Sequence, residues 1–343
     1  MEDALPVKDI CDIISAYMEP PNIISKLKQR MVRARNVLEQ GLLPVKDICD
    51  IILAFLAPEL VCKLTIHNTA WVNDLCVMPS GQFVAGGHGD LVAGRQSGRA
   101  ALFTASKSKF ACLSELFHPT AVTALVAFPD GRLASGCTDA SVRVWDEGRC
   151  VLTLEGHTRR ITDLVVLPGG LLASSSWDHT VRVWLGVRVL TFVGHAKEVT
   201  SLAVMPDGML ASASRDGTVR VWDSATGARL SVIWIGGWVS AVSVLPNGNL
   251  VTASTDGKLR VWSPDGAPLL AFEAHCDSLT SLAVCHGCLL SSNFDAYLHG
   301  WDTLTGERLF QIELPSRRIT AFAVLPNGEL VTSSSEKQIC VWE

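Results

Sequence analysis

The sequence predicts an all-β fold built from seven copies of one small antiparallel unit, preceded by a short α-helical segment. Three observations support this prediction. A short apolar motif ending in an aromatic residue recurs along the chain, a glycine-containing turn stands at a constant distance before it, and alternating apolar and polar runs fill the space between them. The segment 1–58 shows helical periodicity instead.

The recurring motif is clearest at residues 142–146, which read Val-Arg-Val-Trp-Asp. Its aromatic position recurs at nearly equal intervals, so that seven units cover residues 59–343. In six units the turn glycine stands at one fixed offset before the aromatic residue, the offset that separates Gly131 from Trp145. This constant spacing indicates that one hairpin geometry is used repeatedly. The aromatic positions are Phe103, Trp145, Trp184, Trp222, Trp262, Trp301 and Trp342.

The first unit departs from this spacing, because Gly81 stands farther from Phe103 than Gly131 stands from Trp145. The extra residues look like a duplicated segment, in which Phe83-Val84-Ala85-Gly86 is followed by Leu91-Val92-Ala93-Gly94. We therefore expect an extra loop or a slipped strand in this unit.

The repeated units resemble those of the WD-repeat family, whose members fold as β-propellers with four strands in each blade. The resemblance implies a seven-bladed propeller over residues 59–343. The segment at residues 59–67 resembles the last strand of a unit, and the final unit ends one residue after Trp342. We therefore expect segment 59–67 to supply the outer strand of the last blade.

In that family, a His, a Ser or Thr, an Asp and the Trp of one unit form a hydrogen-bonded tetrad. A Ser, a His and an Asp also suggest a hydrolase, but catalysis needs one exposed nucleophile with an oxyanion hole, whereas these sets repeat with a Trp attached. We therefore predict structural tetrads and no enzyme activity. Matched by offset, the complete sets are His118, Ser135, Asp139 and Trp145; His157, Ser174, Asp178 and Trp184; His195, Ser212, Asp216 and Trp222; and His275, Ser291, Asp295 and Trp301.

The resemblance also implies that partners bind the top face, formed by the loops before the innermost strands and the turns beside the tetrad Asp. Exposed Trp and Arg side chains are frequent binding anchors. Arginines around an aromatic centre suit an acidic or phosphorylated peptide. We therefore predict a non-catalytic protein-interaction scaffold that binds such a peptide through Arg159, Arg160, Trp177, Arg215, Trp238, Phe294, Arg317 and Arg318.

Residues 1–58 contain the segment Leu5–Ile14, which recurs unchanged at Leu43–Ile52. Both copies show the spacing of an amphipathic helix, and a third helix between them stops at Gly41. We expect these helices to dock on the propeller, to self-associate or to bind a helical partner.

The segment Leu43–Leu60 also resembles the opening of an F-box, which implies a substrate receptor of a ubiquitin ligase. The units around Ser176–His179 and Leu325–Val331 resemble the propeller of the phospholipase-A2-activating, ubiquitin-binding proteins. The alternative function is therefore a substrate receptor or ubiquitin-binding subunit in the ubiquitin system.

The composition argues against several other classes of function. With 29 Lys plus Arg against 34 Asp plus Glu, the net charge of −5 offers no overall attraction to nucleic acid or anionic lipid. The uncharged run Leu230–Thr255 is interrupted at Pro246, so we expect no membrane span. The 11 Cys residues and the absence of a leader predict a reducing cytoplasmic or nuclear compartment. Cys285 and Cys288 have CxxC spacing without a second pair nearby, and we expect neither a metal nor a cofactor.

Overall fold

The computed structural model of the chain describes residues 62–67, 71–92, 95–106, 109–186, 188–275, 279, 281–285, 288–293, 297–313, 319–326, 330–336 and 338–342. The chain divides into two units, Met1–Leu60 and Val61–Glu343, close to the boundary at residue 58 expected from the sequence. The whole first unit lies outside the described residues. The helices and the F-box resemblance therefore stay predictions.

Within the described residues, 28 strands form seven four-stranded antiparallel sheets, which we number I to VII. Each sheet uses consecutive strands, except that β1 completes sheet VII. Sheet I contains β2 (Trp71–Val77), β3 (Phe83–Val92), β4 (Arg95–Ser106) and β5 (Lys109–His118); sheet II β6 (Val122–Ala127), β7 (Leu133–Cys137), β8 (Val142–Asp146) and β9 (Arg149–Leu154); sheet III β10 (Ile161–Val166), β11 (Leu172–Ser176), β12 (Thr180–Leu185) and β13 (Arg188–Val193); sheet IV β14 (Val199–Val204), β15 (Leu210–Ser214), β16 (Thr218–Trp222) and β17 (Arg229–Trp234); sheet V β18 (Val239–Val244), β19 (Leu250–Ser254), β20 (Lys258–Trp262) and β21 (Pro268–Glu273); sheet VI β22 (Ser281–Cys285), β23 (Cys288–Ser292), β24 (Tyr297–Asp302) and β25 (Arg308–Glu313); and sheet VII β26 (Ile319–Val324), β27 (Leu330–Ser334), β28 (Gln338–Trp342) and β1 (Cys62–His67).

The seven sheets form a closed ring. The first strand of each sheet contacts the first strand of the next, and β26 of sheet VII contacts β2 of sheet I. At the closure β1 pairs with β28, with Thr65 opposite Cys340, in the place expected for the outer strand of the last blade. This arrangement is a β-propeller, as the resemblance implies.

The hydrophobic core lies between neighbouring sheets rather than at one centre. Between sheets II and III, for example, Val142 and Val144 pack with Ile161 and Trp184. The sheets approach closely because their second strands carry small residues. A Cβ on Gly136 would lie 2.5 Å from the Ile161 side chain, so a larger residue would push the sheets apart.

The turn between the first two strands of a sheet repeats with one geometry. In sheet II the N–H of Gly131 donates to the carbonyl of Phe128 at 3.0 Å, and the φ angle of Gly131 is 93°. Glycine adopts this left-handed conformation without the steric cost that a Cβ imposes. The same bond and positive φ occur at Gly170, Gly208 and Gly248, which explains the constant spacing in the sequence.

Sheet I accommodates its extra residues in a long hairpin. Strands β3 and β4 contain 10 and 12 residues, whereas β7 and β8 of sheet II contain 5 each. Phe83 pairs with Phe103 and Val92 with Arg95, with a register shift between His88 and Leu91. The expected irregularity is therefore an extended hairpin with a bulge.

Candidate interaction site

One end of the ring, the top face, carries the turns between the second and third strands and the segments that lead into the first strands. Main-chain hydrogen bonds join each of these turns to a lead-in segment. The N–H of Trp177 donates to the carbonyl of Arg160 at 3.1 Å, and the N–H of Thr255 donates to that of Trp238 at 2.9 Å. The side chains of each turn are thereby placed beside those of a lead-in segment.

Beneath the top face, sheet III contains a continuous hydrogen-bonded tetrad. His157 Nδ1 bonds to Asp178 Oδ2 at 2.7 Å, and its Nε2 bonds to Ser174 Oγ at 2.9 Å; Trp184 Nε1 donates to the same hydroxyl at 2.9 Å. Burial acts to raise the pKa of Asp178, but hydrogen bonds from His157 and Thr180 outweigh it and hold that pKa well below its usual range. Ser174 is buried and its oxygen already has two hydrogen-bond partners, as expected of a side chain with a structural role.

Sheet IV repeats this arrangement with His195, Ser212, Asp216 and Trp222. The bonds from His195 to Asp216 and to Ser212 measure 2.9 and 2.8 Å, and Trp222 Nε1 donates to Ser212 at 2.8 Å. Burial lowers the pKa of His195, and the hydrogen bond to Asp216 opposes that effect. The network ties a lead-in segment to two strands of the same sheet.

Sheet II corrects the sequence prediction, because Asp139 pairs with Arg143 rather than with the imidazole. Arg143 Nη2 donates to Asp139 Oδ2 at 2.9 Å, and His118 Nδ1 bonds to the main-chain carbonyl two residues earlier at 3.0 Å. His118 Nε2 and Trp145 Nε1 still bond to Ser135 Oγ, at 2.7 and 2.8 Å. This set is therefore a triad beside an ion pair.

Sheets V and VI also carry residues at the tetrad positions. Sheet V has no His in the corresponding segment, and Asp256 pairs with Arg260 at 2.6 Å. In sheet VI, Ser291 Oγ bonds to His275 and accepts from Trp301, each at 2.8 Å. Asp295 lies outside the described residues, so its place in this tetrad stays a prediction.

Four of the predicted partner-binding residues form a stack across sheets III, IV and V, which we call the Arg–Trp ladder: Arg160, Trp177, Arg215 and Trp238. The Arg160 Cζ lies 3.4 Å from the centroid of a Trp177 ring. The Arg215 Cζ lies 5.1 Å from a Trp177 centroid and 5.2 Å from a Trp238 centroid. Stacking on indoles orients a guanidinium group and leaves its in-plane N–H groups available to bind an anion.

The two arginines of the ladder lie close enough to repel each other. Burial is the largest cause that lowers the pKa of Arg160, the charge of Arg215 lowers it further, and Glu198 opposes both. In the part of the chain that the structure describes, neither ladder arginine forms an ion pair. Trp238 is 50% exposed. An anion that reached both guanidinium groups would relieve their mutual repulsion.

The other predicted partner-binding residues stand apart from the ladder. Arg159 is exposed, but its guanidinium makes none of the ladder contacts. Sequence reasoning missed Trp234, which ends β17 and is 73% exposed. The sequence signal for Trp234 was its position on the outer strand, where sheet III has Val193. Three further predicted residues lie outside the described part and stay predictions: Phe294, Arg317 and Arg318.

Sequence reasoning also missed two carboxylates in the central channel, a polar cavity of about 490 Å³. Asp74 of sheet I accepts the N–H of Leu125 in sheet II, and Asp163 of sheet III accepts that of Leu202 in sheet IV, each at 2.7 Å. The available signal was an Asp at one inner-strand position in two units. In the other units this position is Ala or Ser: Ala124, Ser201, Ala241, Ser281 and Ala321.

Among the described residues, no group of three or more His, Cys, Asp and Glu side chains is placed to hold a metal ion. No helix in that part of the chain has the length and apolar character needed to cross a membrane. Cys288, from the CxxC segment, begins β23 and forms no disulfide bond within the described part of the chain.

Comparison with protein families supports the structural result. The family described as "WD domain, G-beta repeat" matches residues 58–92, 110–146, 148–184, 186–223, 233–263 and 306–343. The six matches omit residues 264–305, which include β21 to β24, although these strands pair as their counterparts do. No curated protein sequence matches the chain. Because the matched segments cover more than half of the chain and their strands form a ring of four-stranded sheets, the chain belongs to the WD-repeat family.

Proposed function

We propose that this protein is a non-catalytic interaction scaffold whose top face binds an acidic or phosphorylated segment of a partner protein. Propellers of the WD-repeat family are in general non-catalytic scaffolds for protein–protein interaction. The Arg–Trp ladder is the observation that carries the finer part of this proposal.

The ladder combines the two properties that such a partner requires. Among the described residues, Arg160 and Arg215 have no carboxylate partner, so their guanidinium edges suit the carboxylates or phosphates of another molecule. Trp238 offers an exposed apolar surface beside them, which suits an adjoining apolar side chain of the partner. The residues flank strands of three neighbouring sheets, and main-chain hydrogen bonds join each turn to a lead-in segment.

The proposal is tested with a peptide array in which each sequence carries phosphoserine, glutamate or serine at one position. We expect the purified full chain to bind the phosphoserine and glutamate forms and to bind them more weakly as salt is raised. Arg215→Gln should weaken binding at least about tenfold, equivalent to roughly 1.4 kcal/mol. The matched control is Arg188→Gln, on the outer strand β13, which should bind like the wild type.

Far-UV circular dichroism of each variant establishes that the fold is kept. Equal binding to serine and phosphoserine peptides would contradict the anionic specificity. Unchanged binding by a folded Arg215→Gln variant and a folded Trp238→Ala variant would remove the ladder from the binding face.

The alternative of a ligase substrate receptor depends on the segment Leu43–Leu60, which lies outside the described residues, and both it and the ubiquitin-binding alternative stay predictions. Binding of a purified ligase adaptor to the full chain would test the receptor alternative. The proposed scaffold would act in the cytoplasm or nucleus, a reducing compartment that the cysteine-rich sequence favours.

A further inference from the structure

Side chains of the central channel join neighbouring sheets through hydroxyl, amide and carboxyl groups. The Asn73 amide of sheet I donates to the carbonyl of Val122 in sheet II at 2.6 Å. Three hydroxyls donate to a main-chain carbonyl of the next sheet: those of Thr123, Thr162 and Thr200, at 2.7, 2.8 and 2.7 Å. Hydroxyls of this kind do not titrate near neutral pH. Asp74 and Asp163 join their sheets through carboxyl groups instead.

The two carboxyl groups have the same geometry. Asp74 Oδ1 accepts the N–H of the following residue at 2.8 Å, while Oδ2 accepts that of Leu125 in sheet II at 2.7 Å. Asp163 Oδ1 accepts the N–H of its following residue at 2.8 Å, and Oδ2 accepts that of Leu202 in sheet IV at 2.7 Å. Each side chain thus bridges its own strand and the next sheet.

The described lining of the channel holds no group that neutralises these carboxyl groups. Its residues, from β2, β6, β10, β14, β18, β22 and β26, include no Lys, Arg or His. Burial, and then the charge of Asp163, raises the pKa of Asp74 to about 7. Burial raises the pKa of Asp163 to about 6, and hydrogen bonds from two N–H groups and from Ser201 oppose it. The neighbouring thiol of Cys76 has its pKa raised to about 12 by burial and by Asp74, so it stays neutral.

We propose that the central channel is a proton-binding site, in which proton occupancy of Asp74 and Asp163 sets the stability of the folded ring. Protonation removes negative charge from a channel that holds no cation among its described lining residues. An Asp in the unfolded chain titrates near 3.9, so the folded ring retains these protons to higher pH than the unfolded chain does. Their contribution to stability is therefore complete below about pH 4 and is lost as the pH rises to about 7.

The experiment measures the unfolding equilibrium of the full chain from pH 4 to pH 8, in the wild type and in the double variant Asp74→Asn, Asp163→Asn. For each carboxyl group, the folding equilibrium constant should fall about tenfold per pH unit between the unfolded and folded pKa values. The double variant should lose this fall, whereas the exposed control Asp146→Asn should keep it. Comparing profiles removes the contribution of His118, whose pKa burial lowers to about 4 and whose effect has the opposite sign.

A second measurement keeps the proposal testable if the double variant does not fold. The infrared carbonyl band of protonated carboxyl groups should persist in the folded wild type above pH 5, disappear as the pH passes about 7, and be weaker in the single variant Asp163→Asn. Identical pH profiles for the wild type and a folded double variant would overturn the proposal. So would fully ionised carboxyl groups in the folded wild type at pH 5.

Discussion

Sheets II and III contain the same tetrad residue types, but their carboxylates bind different partners. In sheet III, Asp178 bonds to the imidazole of its own sheet. In sheet II, Asp139 instead pairs with Arg143, four residues later. Arg182 is the sheet III counterpart of Arg143, and its Nε has no hydrogen-bond partner among the described residues. The same residue types therefore support two hydrogen-bond networks.

The residue immediately before the tetrad His accounts for this difference. In sheet III it is Gly156, and Arg182 lies so close above it that a Cβ there would clash with the guanidinium Nη1. In sheet IV it is Gly194, over which Arg220 lies in the same way. Where these glycines occur, the Arg side chain packs over the backbone and the Asp bonds to the imidazole instead. Sheets II and V, in which the Arg pairs with the Asp, have Phe117 and Ile235 at this position.

Removal of the imidazole should destabilise sheet IV more than sheet II. His195→Ala deprives Asp216 and Ser212 of a buried partner and should lower the free energy of unfolding by about 2–4 kcal/mol. His118→Ala should cost less, about 1–2 kcal/mol, because Asp139 keeps its arginine. Chemical denaturation of both variants measures the difference. Equal losses would contradict the view that the two networks differ.

A smaller effect comes from adding a Cβ at the deciding position. Gly194→Ala should displace the Arg220 guanidinium from the backbone, give Asp216 a competing cation and lower the free energy of unfolding by about 1 kcal/mol. Denaturation of Gly194→Ala is compared with that of Gly237→Ala. At Gly237 a Cβ would meet only the Thr255 hydroxyl, at 3.7 Å, so this variant should be nearly neutral. A neutral Gly194→Ala would show that this position does not decide the pairing.

The smallest effect comes from the arginines themselves. Arg143→Met removes a partly exposed ion pair and should lower the free energy of unfolding by roughly 0.5–1 kcal/mol. Arg182→Met removes a guanidinium whose Nε makes no hydrogen bond within the described part of the chain, and it should cost less. The order of the two denaturation midpoints is the test, and the reverse order would place the stronger interaction in sheet III.

The sequence predicted those parts of the site that follow from position within a repeat. Trp177 and Arg215 stand just before the Asp of their units, and this placed them on the top face. Their mutual stacking and the participation of Trp238 depend on how three sheets are arranged around the ring. The exposure of Trp234 likewise depends on packing around an outer strand, which repeat spacing does not report.

The number of units and the strands within them follow from the sequence, because hairpins depend on residues close together in the chain. The strand that closes the ring pairs with a distant segment, and it was predicted because residues 59–67 resemble the last strand of a unit. Tertiary structure alone decided the partner of each carboxylate. Asp139 had both an imidazole and a guanidinium available, and Asp74 bonds to the N–H of Leu125, which belongs to the next repeat unit. Hydrogen bonds form over a narrow range of distance and angle, so the packing of neighbouring sheets selects among partners that the sequence pattern leaves equivalent.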